Sequence, residues 1–189
     1  MKLFLAIDYL RHRISAKNRH GLHSPYIYKL LDEIVYDFTD KPAYNEIESA
    51  TRNTPPNNTR PNSQKVNRLL YRLLQYFNPA TLAVADNVNN ATRQYLQQAI
   101  PNTQQINWGQ LSTQSTECLI CDAGNTIIPE TLKPGTIIIA TNIYADAAAR
   151  QCWEQLKTHP NINVTADLFY LGLAFNRPQQ ADEHFKLKF

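Results

Sequence analysis

The chain has 189 residues, of which 43% are hydrophobic and 19% are charged, and its formal net charge is +3. This length and apolar content indicate a folded globular protein with one core. The apolar run before Asp8 is too short for a signal peptide, and no run approaches the roughly 20 residues that a membrane span requires. Three cysteines do not suggest a disulfide framework, so we expect a cytoplasmic protein without a transmembrane segment.

Four helical segments precede the first convincing strand. In the first segment apolar residues recur at helical spacing, namely Leu3, Phe4, Ile7, Leu10 and Ile14. Ser24 and Pro25 predict the start of the second helix, with a Ser24 cap and a proline at the first helical position. Its apolar stripe runs over residues 27–38. A third helix is predicted over residues 43–50, and a fourth from the cap Ser63 to Phe77.

Residues 51–62 read TRNTPPNNTRPN, a composition typical of an exposed loop. This loop is the best candidate boundary in the chain. We therefore predict an N-terminal helical cap with a Pro/Asn-rich linker over residues 1–62, and an α/β domain over residues 63–189.

Strands alternate with helices after residue 81. The candidate strands are residues 82–85, 104–108, 118–121, 136–140, 163–169, 172–175 and 184–189. This alternation predicts a mostly parallel sheet, and such sheets bind ligands beyond the carboxyl ends of their strands. The residues at those ends are 86–90, 108–110, 122–125 and 141–144.

Motifs near both ends of the chain resemble a known family. Residues 20–26, HGLHSPY, have the form H-x-x-H-S-P-[FY], and residues 167–175, DLFYLGLAF, have the form D-L-[FY]-[FY]-L-G-L-x-F. They resemble the class I S-adenosylmethionine (SAM)-dependent methyltransferases, within a small-domain branch typical of Bacteroidetes-type bacteria. The resemblance implies a reduced Rossmann-like methyltransferase sheet of about six strands, mostly parallel with an antiparallel C-terminal hairpin, behind an N-terminal helical cap.

The turn that would hold the cofactor departs from the family pattern. The family ends its first strand with E-x-G-x-x-x-G, where the matching register here has Val84, Asp86 and Asn90. Glycine lets the backbone approach a ligand closely, and neither Asp86 nor Asn90 restores that space. By resemblance, the candidate cofactor-binding residues are Asp86, Asn87, Asn90 and Asp122.

Two further departures lie after the next strands. Residues 107–110 lack the acidic residue that binds the ribose hydroxyls in the family. Residues 107–117 are also too few to form the helix, strand and helix that the family usually has between these two strands. A strand and its crossover are therefore expected to be missing. Thr141 and Asn142 replace a pair of aspartates that could serve a metal or a general base. We name no catalytic residue and expect no metal.

Two other residue pairs allow a chemical role and a structural one. Cys118 and Cys121 have C-x-x-C spacing, but residues three apart in a strand point to opposite faces, so we expect buried free thiols rather than a zinc site. His20 and His23 are candidate ligands or a proton shuttle. Our preferred interpretation is that they orient the loop before the second helix.

These features lead to a main functional hypothesis and two alternatives. The main hypothesis is a methyltransferase-like protein with a degenerate SAM site, catalytically weak or inactive, that binds or scaffolds an unknown small molecule or protein. The first alternative is an active SAM-dependent methyltransferase with an unusual pocket built from Asp86, Asn87 and Asp122.

The second alternative is a nucleic-acid or membrane-surface binder that uses the basic first helix. Before residue 31 the chain has one anion, Asp8, and six cations, namely Lys2, Arg11, Arg13, Lys17, Arg19 and Lys29. Tyrosines among these cations suit single-stranded nucleic acid and helix packing equally well. We do not expect nucleic acid to be the partner.

Overall fold

The computed structural model describes residues 2–52, 59–111, 116–124, 130 and 132–189, with side chains from residue 4 onward. The described α-helices are α1 Lys2–Ser15, α2 Pro25–Leu30, α3 Pro42–Thr51, α4 Gln64–Phe77, α5 Asn90–Ala99 and α6 Ala147–Lys157. The described strands are β1 Thr81–Val84, β2 Gln104–Ile106, β3 Cys118–Asp122, β4 Ile137–Thr141, β5 Val164–Asp167, β6 Leu171–Phe175 and β7 Glu183–Lys186. A π-helical turn, Leu31–Val35, continues α2.

The described strands form a single mixed sheet in the order β2-β1-β3-β4-β6-β5-β7. Strands β2, β1, β3 and β4 are parallel, and β6 runs antiparallel to both β4 and β5. This arrangement confirms the predicted α/β class and the antiparallel C-terminal hairpin, with seven strands where about six were expected. In the described part of the sheet β2 is an edge, and the described residues between β2 and β3 include one short 3-10 helix, Trp108–Gln110.

The central strands are apolar on both faces because helices cover both sides of the sheet. Cys118 and Cys121 are reduced and have no exposed surface. They belong to different hydrophobic clusters, as expected for residues three apart in a strand. The larger cluster joins residues of α2, α3, α4 and α5 to the sheet, and the smaller one centres on Trp153 of α6.

Two details at α2 differ from the prediction. Ser24 occupies the N-cap position, but its side chain makes no capping hydrogen bond and instead accepts one from Gln180 Nε2 at 3.3 Å. Phe38, predicted to extend the apolar stripe, is 65% exposed because the helix ends before it. At α4, by contrast, Ser63 Oγ accepts a hydrogen bond from the Val66 amide, which confirms that cap.

Helix α1 is attached to the domain through polar and aromatic side chains. Asp8 forms an ion pair with Arg150, and His12 forms a hydrogen bond with Asp167. The ring of Tyr9 packs edge-on against that of Phe169, with 5.1 Å between the ring centroids. Lys17, which follows the helix, pairs through its backbone with Leu187, just after β7, in an isolated parallel β-bridge. Among the described residues, no helix is long and apolar enough to cross a membrane.

Candidate functional site

The carboxyl ends of β1 and β3 are tied together by one side chain. Asn87 Nδ2 donates to the carbonyl oxygens of Asp122 and Gly124, both at 2.9 Å, and Asn87 Oδ1 accepts from the Asp122 amide at 3.2 Å. The two loops are thus joined through a half-buried amide that meets backbone groups on the neighbouring loop. The side chain of Asn87, next to the first of the missing glycines, therefore lies between the ends of β1 and β3.

A second side chain covers the carbonyls of the same turn. Arg93, in the first turn of α5, donates from Nε to Val88 O at 3.2 Å and from Nη2 to Ala85 O. Burial lowers the pKa of Arg93, and the nearby Asp86 opposes that shift. Two carbonyls of the turn after β1 therefore accept hydrogen bonds from a cation of the same chain.

The surviving acid of the family pattern, Asp122, is also engaged. This residue is 6% exposed, and its Oδ1 accepts from the Gly124 amide at 3.2 Å while its Oδ2 accepts from Asn142 Nδ2 at 2.6 Å. Arg60 Nη1 lies 3.6 Å from Asp122 Oδ1, and the same guanidinium pairs with Asp146, the N-cap of α6. Both oxygens of Asp122 are therefore used within the chain.

The structure separates the four predicted cofactor residues into two groups. Asn87 and Asp122 come together, as the convergence of parallel strand ends predicts. Asp86 is exposed, and its negative charge counteracts the lowering of the Arg93 pKa by burial. Asn90 begins α5, whereas its neighbour Asn89 is the cap and accepts from the Ala91 amide at 2.9 Å.

Sequence reasoning missed the two arginines, Arg60 and Arg93. Arg60 follows prolines and asparagines in the predicted loop, and no local spacing indicates that it reaches across to Asp122 and Asp146. Arg93 stands three residues after the start of α5, which places its side chain over the turn that precedes the helix. That offset was a readable signal for Arg93.

A buried polar network lies further along the same edge. His12 Nε2 donates to Asp167 Oδ1 at 2.9 Å, and the Tyr144 hydroxyl donates to Asp167 Oδ2 at 2.6 Å. Burial opposes the charge on Asp167, but the hydrogen bonds from His12 and Tyr144 outweigh it and hold the pKa of this carboxyl below its usual value. Burial and the adjacent carboxylate raise the pKa of Tyr144, which therefore remains a donor.

The tight turn between β5 and β6 is held in an uncommon backbone conformation by this network. Phe169 has a φ of 68°, which side chains other than glycine adopt rarely and at a cost of about 1–3 kcal/mol. Its amide donates to Asp167 Oδ1 at 2.9 Å, and its ring stacks on Tyr144 at a centroid distance of 4.9 Å. Asp167 thus fixes the turn as well as α1.

A cavity of about 470 Å³ opens beside these rings. Its lining includes Tyr9, Tyr144, Phe169, Tyr170, Asn142 and Lys65. The volume lies in the range of small-ligand pockets, and aromatic walls with a few polar groups are typical of such pockets.

The histidines of the H-x-x-H motif are not among the residues that form the site at the strand ends. His20 lies in a 3-10 helix and His23 precedes α2, and both are exposed. Among the described residues no cluster of three or more His, Cys, Asp or Glu side chains has the arrangement of a metal site.

Asn87→Ala is expected to lower the free energy of unfolding by about 1–3 kcal/mol, because it leaves backbone groups of Asp122 and Gly124 without their partners. Urea denaturation measures this change. The matched control is Asp86→Ala in the same turn, whose exposed side chain should contribute no more than about 0.5 kcal/mol. Equal losses in the two variants would show that Asn87 does not tie the strands together.

Comparisons with known proteins find similarity only among solved structures. No protein-family model matches the chain, and no curated protein matches its sequence. Among solved structures, the SAH-bound methyltransferase PaMTH1 of Podospora anserina superposes with a TM-score of 0.52 at 9% identity, over 82% of this chain and 97% of that one.

Two further solved structures match less closely. A putative O-methyltransferase from Klebsiella pneumoniae gives a TM-score of 0.49 at 9% identity, covering 82% of this chain and 97% of its own. The O-methyltransferase TomG of Streptomyces achromogenes, solved with SAM, gives 0.48 at 13% identity, covering 78% and 95%. The similarity to PaMTH1 shows that this chain has a methyltransferase-like Rossmann fold; at 9% identity it shows the fold alone.

Proposed function

We propose that this chain is a methyltransferase-like protein whose cofactor position is filled by its own side chains. It binds SAM weakly or not at all, and it acts as a binding or scaffold protein for a small molecule or another protein. The observation that carries this proposal is the amide of Asn87, which directly follows the first missing glycine, at Asp86, and spans the ends of β1 and β3.

A ligand entering this turn would have to displace hydrogen bonds that the chain already makes. Arg93 covers the carbonyls of Ala85 and Val88, and Asn87 occupies backbone groups of Asp122 and Gly124. Leaving one buried polar group without a partner costs about 1–3 kcal/mol. Each such loss weakens binding by about one to two orders of magnitude.

The carboxylate that could meet the cationic groups of SAM is already paired. The cofactor carries a sulfonium, an ammonium and a carboxylate group, and a protein carboxylate is the natural partner for the first two. Asp122 is the acid at the end of β3, and Arg60, Asn142 and Gly124 already occupy its oxygens. Arg60 pairs with both Asp122 and Asp146, and Arg93 lies beside Asp86, so the carboxylates near these strand ends already have cationic neighbours in the chain. The side chains present do not fit the cofactor.

The first alternative is an active SAM-dependent methyltransferase with an unusual pocket made by Asp86, Asn87 and Asp122. Two observations favour it: Asp122 and Asn142 meet at the strand ends, and Asn142 also lines the adjacent cavity. In that case Arg60 would leave Asp122 when the cofactor binds. A function through the basic first helix is the second alternative.

Thermal denaturation with and without 1 mM SAM or S-adenosylhomocysteine (SAH) tests the proposal, and we expect shifts of the melting temperature below about 1 °C. A ligand with a dissociation constant one hundredth of its concentration stabilises the folded state by about 2.7 kcal/mol. For a chain of this size that corresponds to roughly 5–10 °C. A shift of this size that disappears in Asp122→Asn would support the active enzyme instead.

A further inference from the structure

Helix α1 presents its apolar residues to solvent. Phe4, Ile7, Leu10 and Ile14 define what we call the outer face of α1, and their exposed fractions are 74%, 37%, 61% and 85%. At 3.6 residues per turn these four side chains fall within an arc of roughly 120°. An apolar face of this size is normally buried against something.

The orientation of α1 is fixed by contacts on its opposite side. Asp8 pairs with Arg150, the buried His12 donates to Asp167, and Tyr9 packs on Phe169. His12 and Asp167 are only 4% and 2% exposed, so the helix cannot rotate to bury its outer face without breaking this pair. The outer face is therefore exposed because the contacts of Asp8, Tyr9 and His12 fix the orientation of the helix.

Positive charge lies within and beside the outer face: at about 100° per residue Arg11 falls inside its arc, between Phe4 and Ile7, and Arg13 lies just outside it, next to Leu10. Arg11, Arg13 and Lys17 are exposed, and Asp8, the anion within Lys2–Ser15, is used by Arg150. Arg19, by contrast, is paired with Asp32 at 2.6 Å. The partner of this face must therefore be apolar at its centre and negatively charged around it.

We propose that the outer face of α1 binds the surface of an anionic lipid bilayer, with the helix lying in the plane of the interface. Apolar side chains enter the boundary between headgroups and acyl chains, while Arg11, Arg13 and Lys17 meet lipid phosphates and carboxylates. A helix of 14 residues is about 21 Å long, enough to lie on a bilayer.

The other candidate partners fit this face less well. A second copy of the same face would bring the exposed Arg11 and Arg13 of the two chains together, which repels. Nucleic acid would neutralise the arginines but would leave Phe4, Leu10 and Ile14 in water. The bilayer satisfies both the apolar and the cationic parts.

Vesicle co-sedimentation of the full chain tests this proposal. Wild type should bind phosphatidylcholine vesicles containing about 30% phosphatidylserine and should bind pure phosphatidylcholine at least about tenfold more weakly. Phe4→Ser combined with Ile14→Ser should weaken binding to the anionic vesicles at least about tenfold, and Arg11→Gln combined with Arg13→Gln several-fold. Raising salt should weaken the wild type further.

Matched controls remove equivalent groups elsewhere. Phe38→Ser removes another exposed aromatic ring, and Lys29→Gln with Arg52→Gln removes two exposed cations, so both variants should bind vesicles like the wild type. Since the substituted residues of the outer face are exposed, its variants should also keep the wild-type melting temperature within about 2 °C.

Three results would overturn the proposal. One is absence of wild-type binding to the anionic vesicles, and another is equal binding by the Phe4→Ser, Ile14→Ser double variant. The third is a wild-type dimer in analytical ultracentrifugation that the same double variant converts to a monomer, which would identify a second copy as the occupant.

Discussion

Asp167→Ala is expected to be among the most destabilising substitutions in this chain, with a loss of about 3–5 kcal/mol in the free energy of unfolding. The carboxylate is 2% exposed and accepts hydrogen bonds from His12, Tyr144 and the amide of Phe169. Its removal takes the carboxylate acceptor from all three donors and leaves His12 only the backbone carbonyl of Asp167, at 3.2 Å. It also releases both α1 and the strained turn at Phe169.

Chemical denaturation of Asp167→Ala measures this loss, with Asp182→Ala as the control. Asp182 is exposed, so its substitution should change stability by no more than about 0.5 kcal/mol. If Asp167→Ala cost less than about 1 kcal/mol, the network would not anchor α1 as described.

Acid should reveal the same network. Because the pKa of Asp167 is lowered in the folded state from its ordinary value of 3.8, its ionised form stabilises the fold above that value. This contribution is lost as the pH falls through the folded-state pKa. The difference in stability between wild type and Asp167→Ala should therefore be largest near neutral pH and shrink below pH 3.8. A constant difference across that range would contradict the assignment.

Gly172→Ala is the second substitution with a large expected effect, about 3 kcal/mol, at the upper end of the usual cost of overpacking. A Cβ atom at Gly172 would lie 2.5 Å from Trp153 Cζ3 and 2.6 Å from Trp153 Cη2. The indole has no exposed surface and packs α6 against β6, so it has no space into which to move. This close approach explains the glycine of the L-G-L-x-F motif in physical terms.

The control for this prediction is Gly21→Ala, where the nearest atom to a new Cβ is 3.5 Å away in the flexible Lys17 side chain. Its cost should stay within about 0.5 kcal/mol. Combining Gly172→Ala with Trp153→Phe should cost less than the sum of the two single variants, because the smaller ring relieves the contact. Strict additivity would mean that the two residues do not clash.

Local patterns predicted the helices and strands well because burial repeats with the period of each element. The stripe of α4 and the β-branched run of β4 are examples, and both are buried in the structure. The same reasoning could not say which side of α1 faces the domain. Its anchors join residues far apart in the chain, such as His12 with Asp167, and no local period encodes such pairs.

The candidate site was predictable in position but not in chemistry. Parallel strand ends had to bring Asn87 and Asp122 together, and they do. The sequence shows that the glycines are missing, but it does not show whether the Asn87 side chain points towards a ligand or towards the neighbouring loop. That direction depends on the geometry of the folded turn. The roles of Arg60 and Arg93 likewise depend on contacts made only in the folded chain.

Isothermal titration calorimetry with SAM and SAH tests most directly whether the chain's own side chains fill the cofactor position. We expect no saturable heat with either compound up to millimolar concentrations, because Asn87, Arg60 and Arg93 occupy the groups that the cofactor would need. Saturable binding of SAM or SAH with a micromolar dissociation constant would contradict the account.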